Sequence, residues 1–105
     1  MSEGIKHDGS KAPMELLSHN ALIEIANVFG YGRTKYGAHN YRGGLRWSRV
    51  IGAAYRHLGA FNSGEDLDPE SGLSHVAHLG ACAIMLLDFI HEHPKLNDRY
   101  YKETL

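Results

Sequence analysis

Apolar residues recur at helical spacing in three segments of the chain, and no stretch alternates as a half-buried strand would. Leu22, Ile25, Ala26 and Phe29 share one face behind Ser18, a good N-cap residue, and predict a first helix starting after it. Gly30 and Gly32 each cost about 1 kcal/mol relative to alanine inside a helix, so a break or a close backbone approach is expected there. Were the helix to run on, Glu24, Val28, Tyr31 and Lys35 would form a single stripe. "HNYRGGLRWS", His39 to Ser48, reads as a loop turning at Gly43 and Gly44. Trp47, Val50, Ile51, Ala54, Leu58 and Phe61 then follow the i, i+3, i+4, i+7 rule and predict a second helix from about Trp47 to Phe61, with His57 at the edge of its buried face.

A third helix is expected to begin at "DPES", with Asp68 as cap, Pro69 as first helical residue and Glu70 adding negative charge to the first turn. Pro94 cannot continue it. From Leu79 to Leu87 the segment is apolar on every side, which predicts a central, mostly buried helix. The closing "KLNDRYYKETL" is amphipathic at best and is expected to dock on a partner chain. The fold class is therefore all-α, a compact bundle of about four helices. Residues 1–11, rich in Gly and Ser, read as a flexible arm, and residues 12–105 as one domain.

A domain of 105 residues buries only a modest share of its surface, so completion by oligomerisation, as a dimer or tetramer, is expected. The net charge of −1 lacks the basic excess that coating nucleic acid or an anionic membrane requires. The single cysteine, Cys82, precludes an intrachain disulfide, and no apolar stretch opens the chain; both point to a reducing cytoplasm. The eight histidines make the true charge sensitive to pH near neutrality.

The chemistry concentrates between Gly64 and Phe89. Glu65, Asp66, Asp68 and Glu70 put four carboxylates into six residues, just before His75 and His78 at the mouth of the apolar helix. Wound at 100° per residue, one stripe collects Asp68, Ser71, His75, His78 and Cys82, with His57 able to face it from the second helix. Any one of these residues has an ordinary reading as a helix cap, a dipole partner or a surface imidazole. Together, at the end of the most apolar helix, they form the convergent oxygen and imidazole set that a divalent cation needs. A second constellation, "YGRTKYGAHNYRGG", carries Arg33, Lys35 and Arg42, with Arg46 just beyond, suited to phosphate. Asn40 offers a donor and an acceptor for a base edge, and Tyr36, Tyr41 or Trp47 a ring for stacking. Neither a Walker A nor a G-x-G-x-x-G pattern occurs.

In combination, Y-G-x-x-K-Y-G-x-x-N, R-H, G-E-x-x-D-x-E-S-G and H-x-x-H resemble the dATP/dGTP diphosphohydrolase domain of phage and prophage genomes over roughly residues 11 to 90. That domain is akin to the all-α MazG-like pyrophosphohydrolases and to the MazZ enzymes. The resemblance implies cleavage of a purine deoxynucleoside triphosphate, dGTP or dATP, between its α- and β-phosphates, with Mg²⁺ or Mn²⁺ and a homo-oligomer. Carried over by position, it implies catalytic roles for Glu65, Asp68, His75 and His78. It implies metal ligation by His57, Glu65, Asp68, Glu70, His75 and His78, and substrate contacts by Lys35, Asn40 and Arg56, to which the chemistry of the loop adds Tyr36, Arg46 and Trp47. Tyr41 stands where members often carry tryptophan, and H-x-x-H replaces the E-x-x-D of MazG proteins proper. Two rivals are an HD-type phosphohydrolase, whose adjacent pair would have to be His7–Asp8 in the arm, and a non-enzymatic helical module stapled by metal.

Overall fold

The computed structural model describes residues 3–102 and is all-helical. Three α-helices, α1 (His19–Tyr36), α2 (Trp47–Asn62) and α3 (His75–Glu92), are joined by loops that include short 3-10 turns at Met14–Leu16, Asn40–Gly43 and Pro94–Leu96. The sequence pattern suggested about four helices; among the described residues there are three. Among the described residues no helix is long and apolar enough to cross a membrane.

α1 starts where its cap predicts, the Ser18 hydroxyl accepting from the Ala21 N–H. The expected break at Gly30 and Gly32 is absent: the helix runs through both, and neither glycine faces a close neighbour. A helix interior tolerates glycine where nothing else competes for the backbone, at a propensity cost of about 1 kcal/mol each. Continuity then lines up Val28, Tyr31 and Lys35 as the stripe argument requires. α2 begins at Trp47 with help from afar, because Asp98 accepts from both the backbone N–H (2.8 Å) and the hydroxyl of Ser48. With Arg99 placed over the Trp47 ring, Asp98 and Arg99 of the tail rest on their own chain's α2, while Tyr100 and Tyr101 stay exposed.

α3 starts seven residues later than Asp68. Residues 68–74 instead form a turn: the Asp68 side chain accepts from the Ser71 N–H, Gly72 N–H donates to Asp68 O, and Gly72 takes a φ of 74° that ends any right-handed helix. Ser74 is the cap, accepting from the Val76 and Ala77 N–H groups. The helix stops at Glu92, before Pro94, as expected.

α3 is central because both other helices pack on it. On one side Val28 of α1 meets Ala77 and Ala81, with Ile25 lying so close to Gly80 that a Cβ there would sit 2.6 Å from its side chain. On the other, Trp47 and Val50 meet Cys82 and Phe89, and Phe89 is 0% exposed. α3 is less buried than its composition suggests, however. Val76, Ile84, Leu87 and Ile90 are exposed, Leu87 by 61%, since two helices cannot cover all its faces. Phe89→Ala should destabilise the fold by about 3–5 kcal/mol, the range for emptying a fully buried phenylalanine site. Urea unfolding followed by circular dichroism checks this, and a loss under about 1 kcal/mol would mean that the α2–α3 core is not the main store of stability.

Candidate functional site

Between α1 and α2 lies an open cleft of about 1110 Å³, floored by His78, Ala81, Cys82 and Met85 of α3. That volume suffices for a ligand of nucleotide size. Its walls carry Tyr31, Arg33, Lys35 and Tyr36 from α1, the glycine-rich loop with Asn40, Tyr41 and Arg42, and Arg49, Arg56 and His57 from α2. Asp68 and Glu70 close one end.

At that end the imidazoles gather. His75, only 3% exposed, has its Nδ1 2.9 Å from Nδ1 of His57 and its Nε2 2.6 Å from Oε1 of Glu65. His78 stacks on His57 with ring centroids 4.4 Å apart and sits with Nε2 2.7 Å from the Ser71 hydroxyl. One ligand atom each from His57, Asp68 and His75 fall within 4.8 Å of one another, close enough to hold one cation. The stripe predicted from a helix beginning at Asp68 is thus assembled by a different route: the 68–74 turn folds Asp68 and Ser71 back over the first turn of α3. Glu65, Glu70 and His78 surround the trio without belonging to it. Glu70 is 2.6 Å from Lys35 Nζ, an ion pair that joins the turn to α1.

Two predicted substrate residues lie elsewhere. Trp47 is buried in the α2–α3 core and its Nε1 donates to the His93 carbonyl (3.1 Å), so its ring is not free to stack on a ligand in the cleft. Arg46 precedes α2 outside the cleft lining. Lys35, Tyr36, Asn40 and Arg56 do line it. Arg49 and Tyr31 are additions. Arg49 shares a helical face with Ala53, Arg56 and His57, a signal present in the spacing; Tyr31 lies on the α1 stripe one turn before Lys35.

A family model described as dATP/dGTP diphosphohydrolase, N-terminal, matches residues 1–99. The chain belongs to that family. It is 34% identical over 102 residues to a dATP/dGTP diphosphohydrolase of Salmonella phage PMBT28, an alignment covering 97% of this chain. The chain spans about a third (35%) of that relative's length. No solved structure matches.

In this member of the dATP/dGTP diphosphohydrolase family the local electrostatics favour the neutral forms of His57 and His78 and the ionised forms of Asp68 and Glu70. Burial holds His57 and His78 below the ordinary histidine value, reinforced by neighbouring imidazoles and opposed by Asp68. Burial alone would push the Asp68 carboxyl up, but the Ser71 N–H and hydroxyl, with His78 and His57 beyond them, bring it below its usual value. The Lys35 ammonium, with help from the Tyr31 hydroxyl, holds Glu70 down, and Glu70 in turn raises Lys35. These are the protonation states that ligation requires.

A stability consequence follows for the metal-free protein. Near pH 6.5 the unfolded chain takes up protons on these histidines that the folded chain still refuses. The stability present above that pH is therefore lost as pH falls through 6.5 toward the lowered folded values, with Asp68 adding a further loss in the acid range below its ordinary value. Thermal unfolding in chelator should give a Tm that is level from pH 7 to 8 and declines from about pH 6.5 downward. A Tm unchanged to pH 5 would contradict this electrostatic reading.

Proposed function

We propose that the chain hydrolyses a purine deoxynucleoside triphosphate, dGTP or dATP, at the α–β bond, releasing the monophosphate and pyrophosphate with the help of a divalent cation. The observation that carries the reading is the His57–Asp68–His75 trio at one end of a cleft whose walls bear Arg33, Lys35, Arg42, Arg49 and Arg56. Cation ligands beside a bank of positive side chains form the arrangement that a triphosphate requires. The family membership and the name of the Salmonella phage relative support the same substrate.

Two imidazoles and one carboxylate suit Mn²⁺ better than Mg²⁺, which prefers an all-oxygen shell. When bound, such an ion neutralises phosphate charge and lowers the pKa of water. The chain's own residues do the rest. Lys35 and Arg56 bind phosphoryl oxygens, with Arg33, Arg42 and Arg49 drawing the polyanion into the cleft. The exposed Lys35–Glu70 pair is weak in water, so phosphate can take the lysine while Glu70 is released toward the cation end. His78, held neutral and beside the Ser71 hydroxyl, serves as the general base for water. Tyr36 and Tyr41 offer rings to a purine, and Asn40 reads its edge. A dimer or tetramer would cover the exposed apolar side chains of α3 together with Leu58 and Phe61 of α2.

The rival HD chemistry has no support from His7–Asp8, which lie in the exposed segment before α1. Asp68→Asn should lower kcat by at least about 100-fold with the helical circular dichroism retained, and Lys35→Ala should raise KM for the triphosphate several-fold. Rates on dGTP, dATP, dCTP and dTTP with Mn²⁺, scored for pyrophosphate, test the reading as a whole. A pyrimidine as best substrate, or orthophosphate as first product, would sink it.

A further inference from the structure

The hydrogen bonds of His75 determine which nitrogen of each neighbouring imidazole carries its proton. Nε2 of His75 lies 2.6 Å from Oε1 of Glu65. An ionised carboxylate has no hydrogen to give, so Nε2–H must be the donor in that contact. A neutral imidazole has one N–H, which leaves Nδ1 of His75 as a bare lone pair. The Nδ1 of His57, 2.9 Å away, must then be the N–H that donates to it. His57 is left with a bare Nε2.

We propose that Glu65 is a positioning residue that acts through His75: it sets the tautomers of His75 and, through it, of His57, and is not itself a cation ligand. The backbone places it for this task. Glu65 N–H is tied to Ala60 O at the end of α2 (3.0 Å), after Gly64 turns the chain at a φ of 98°. The next residue, Asp66, accepts from the His75 N–H (3.0 Å), so the carboxylate and the ring are held by adjacent backbone ties. His75 is sealed while Glu65 stays 53% exposed, so the carboxylate rests against one edge of a buried ring and leaves its other oxygen to water. With Nε2 occupied, His75 has only Nδ1 to offer, and a cation bound there would displace the His57 N–H from that lone pair. A carboxylate behind an imidazole is the outer arrangement that fixes ring orientation in metal sites.

The proposal rests on the metal reading given above, and the two are separable by experiment. Long-range ¹H–¹⁵N correlation of the histidine rings in the metal-free protein, at a pH above the histidine range, reads each tautomer directly. His75 should be the Nε2–H form and His57 the Nδ1–H form. Glu65→Ala should scramble both, while Glu65→Gln, whose amide oxygen still accepts, should preserve them. Calorimetric titration with Mn²⁺ should show about 10- to 100-fold weaker binding in Glu65→Ala and near wild-type binding in Glu65→Gln. His75 carrying its proton on Nδ1, or tautomers or Mn²⁺ affinity unmoved in Glu65→Ala, would overturn the proposal. A wild type with the expected tautomers but no affinity for Mn²⁺ would uphold the proton pattern and defeat the metal reading instead.

Discussion

Everything at the functional end of this molecule depends on satisfying one buried imidazole. A sealed polar side chain left without partners costs about 1–3 kcal/mol, a sizeable part of a small domain's net stability. His75 meets that demand on both sides, with Glu65 from the loop and His57 from α2. Meeting it fixes the path of residues 63–74: the chain must turn at Gly64, run past the ring, and turn again at Gly72 before α3 begins. Asp68 arrives beside the imidazoles as a by-product of that path, with its carboxylate held by Ser71. The same geometry that closes the fold therefore brings together three side chains able to hold a cation.

The cleft follows from how three helices share one core. α3 takes α1 on one face and α2 on another, each through small side chains that allow close approach, Ala77 and Ala81 toward α1 and Cys82 toward α2. The two outer helices leave a trough between them, with five Arg and Lys side chains on its walls and acceptors and imidazoles at one end. The glycine-rich loop is pinned across the trough by α3's C-terminal end. Gly44, at a φ of 93°, leaves no room for a Cβ beside Leu96 and His93, and His93 Nε2 donates to the Arg42 carbonyl (2.7 Å). A rigid floor with pinned loops suits preorganised binding of a highly charged ligand.

What the sequence made legible was mostly local. Ser18 as a cap, the apolar face of α2 and the stop before Pro94 were all written in short-range spacing. The start of α3 was not. Asp68-Pro69-Glu70 has the composition of a capped helix, yet Asp68 spends its capping power on Ser71 within a turn, and the contacts that decide this run to Asp66, Leu73 and His75 rather than along the helix. Trp47 failed for the opposite reason: an aromatic beside a polar loop can serve a ligand or a core, and only the approach of His93 and Phe89 makes it core. The grouping of His57, Asp68, His75 and His78 was legible because the 68–74 turn returns its side chains to nearly the place a helix would have put them. The pairing of Glu65 with His75 depends on loop geometry that no periodicity reports.

The central claim is that His57, Asp68 and His75 hold a divalent cation at the head of the cleft. Electron spin echo envelope modulation of Mn²⁺ bound to the protein reads nitrogen ligands directly. Coupling to imidazole nitrogens from two histidines is predicted, falling to one in His57→Asn. Stoichiometric Mn²⁺ binding without any nitrogen coupling would contradict the account.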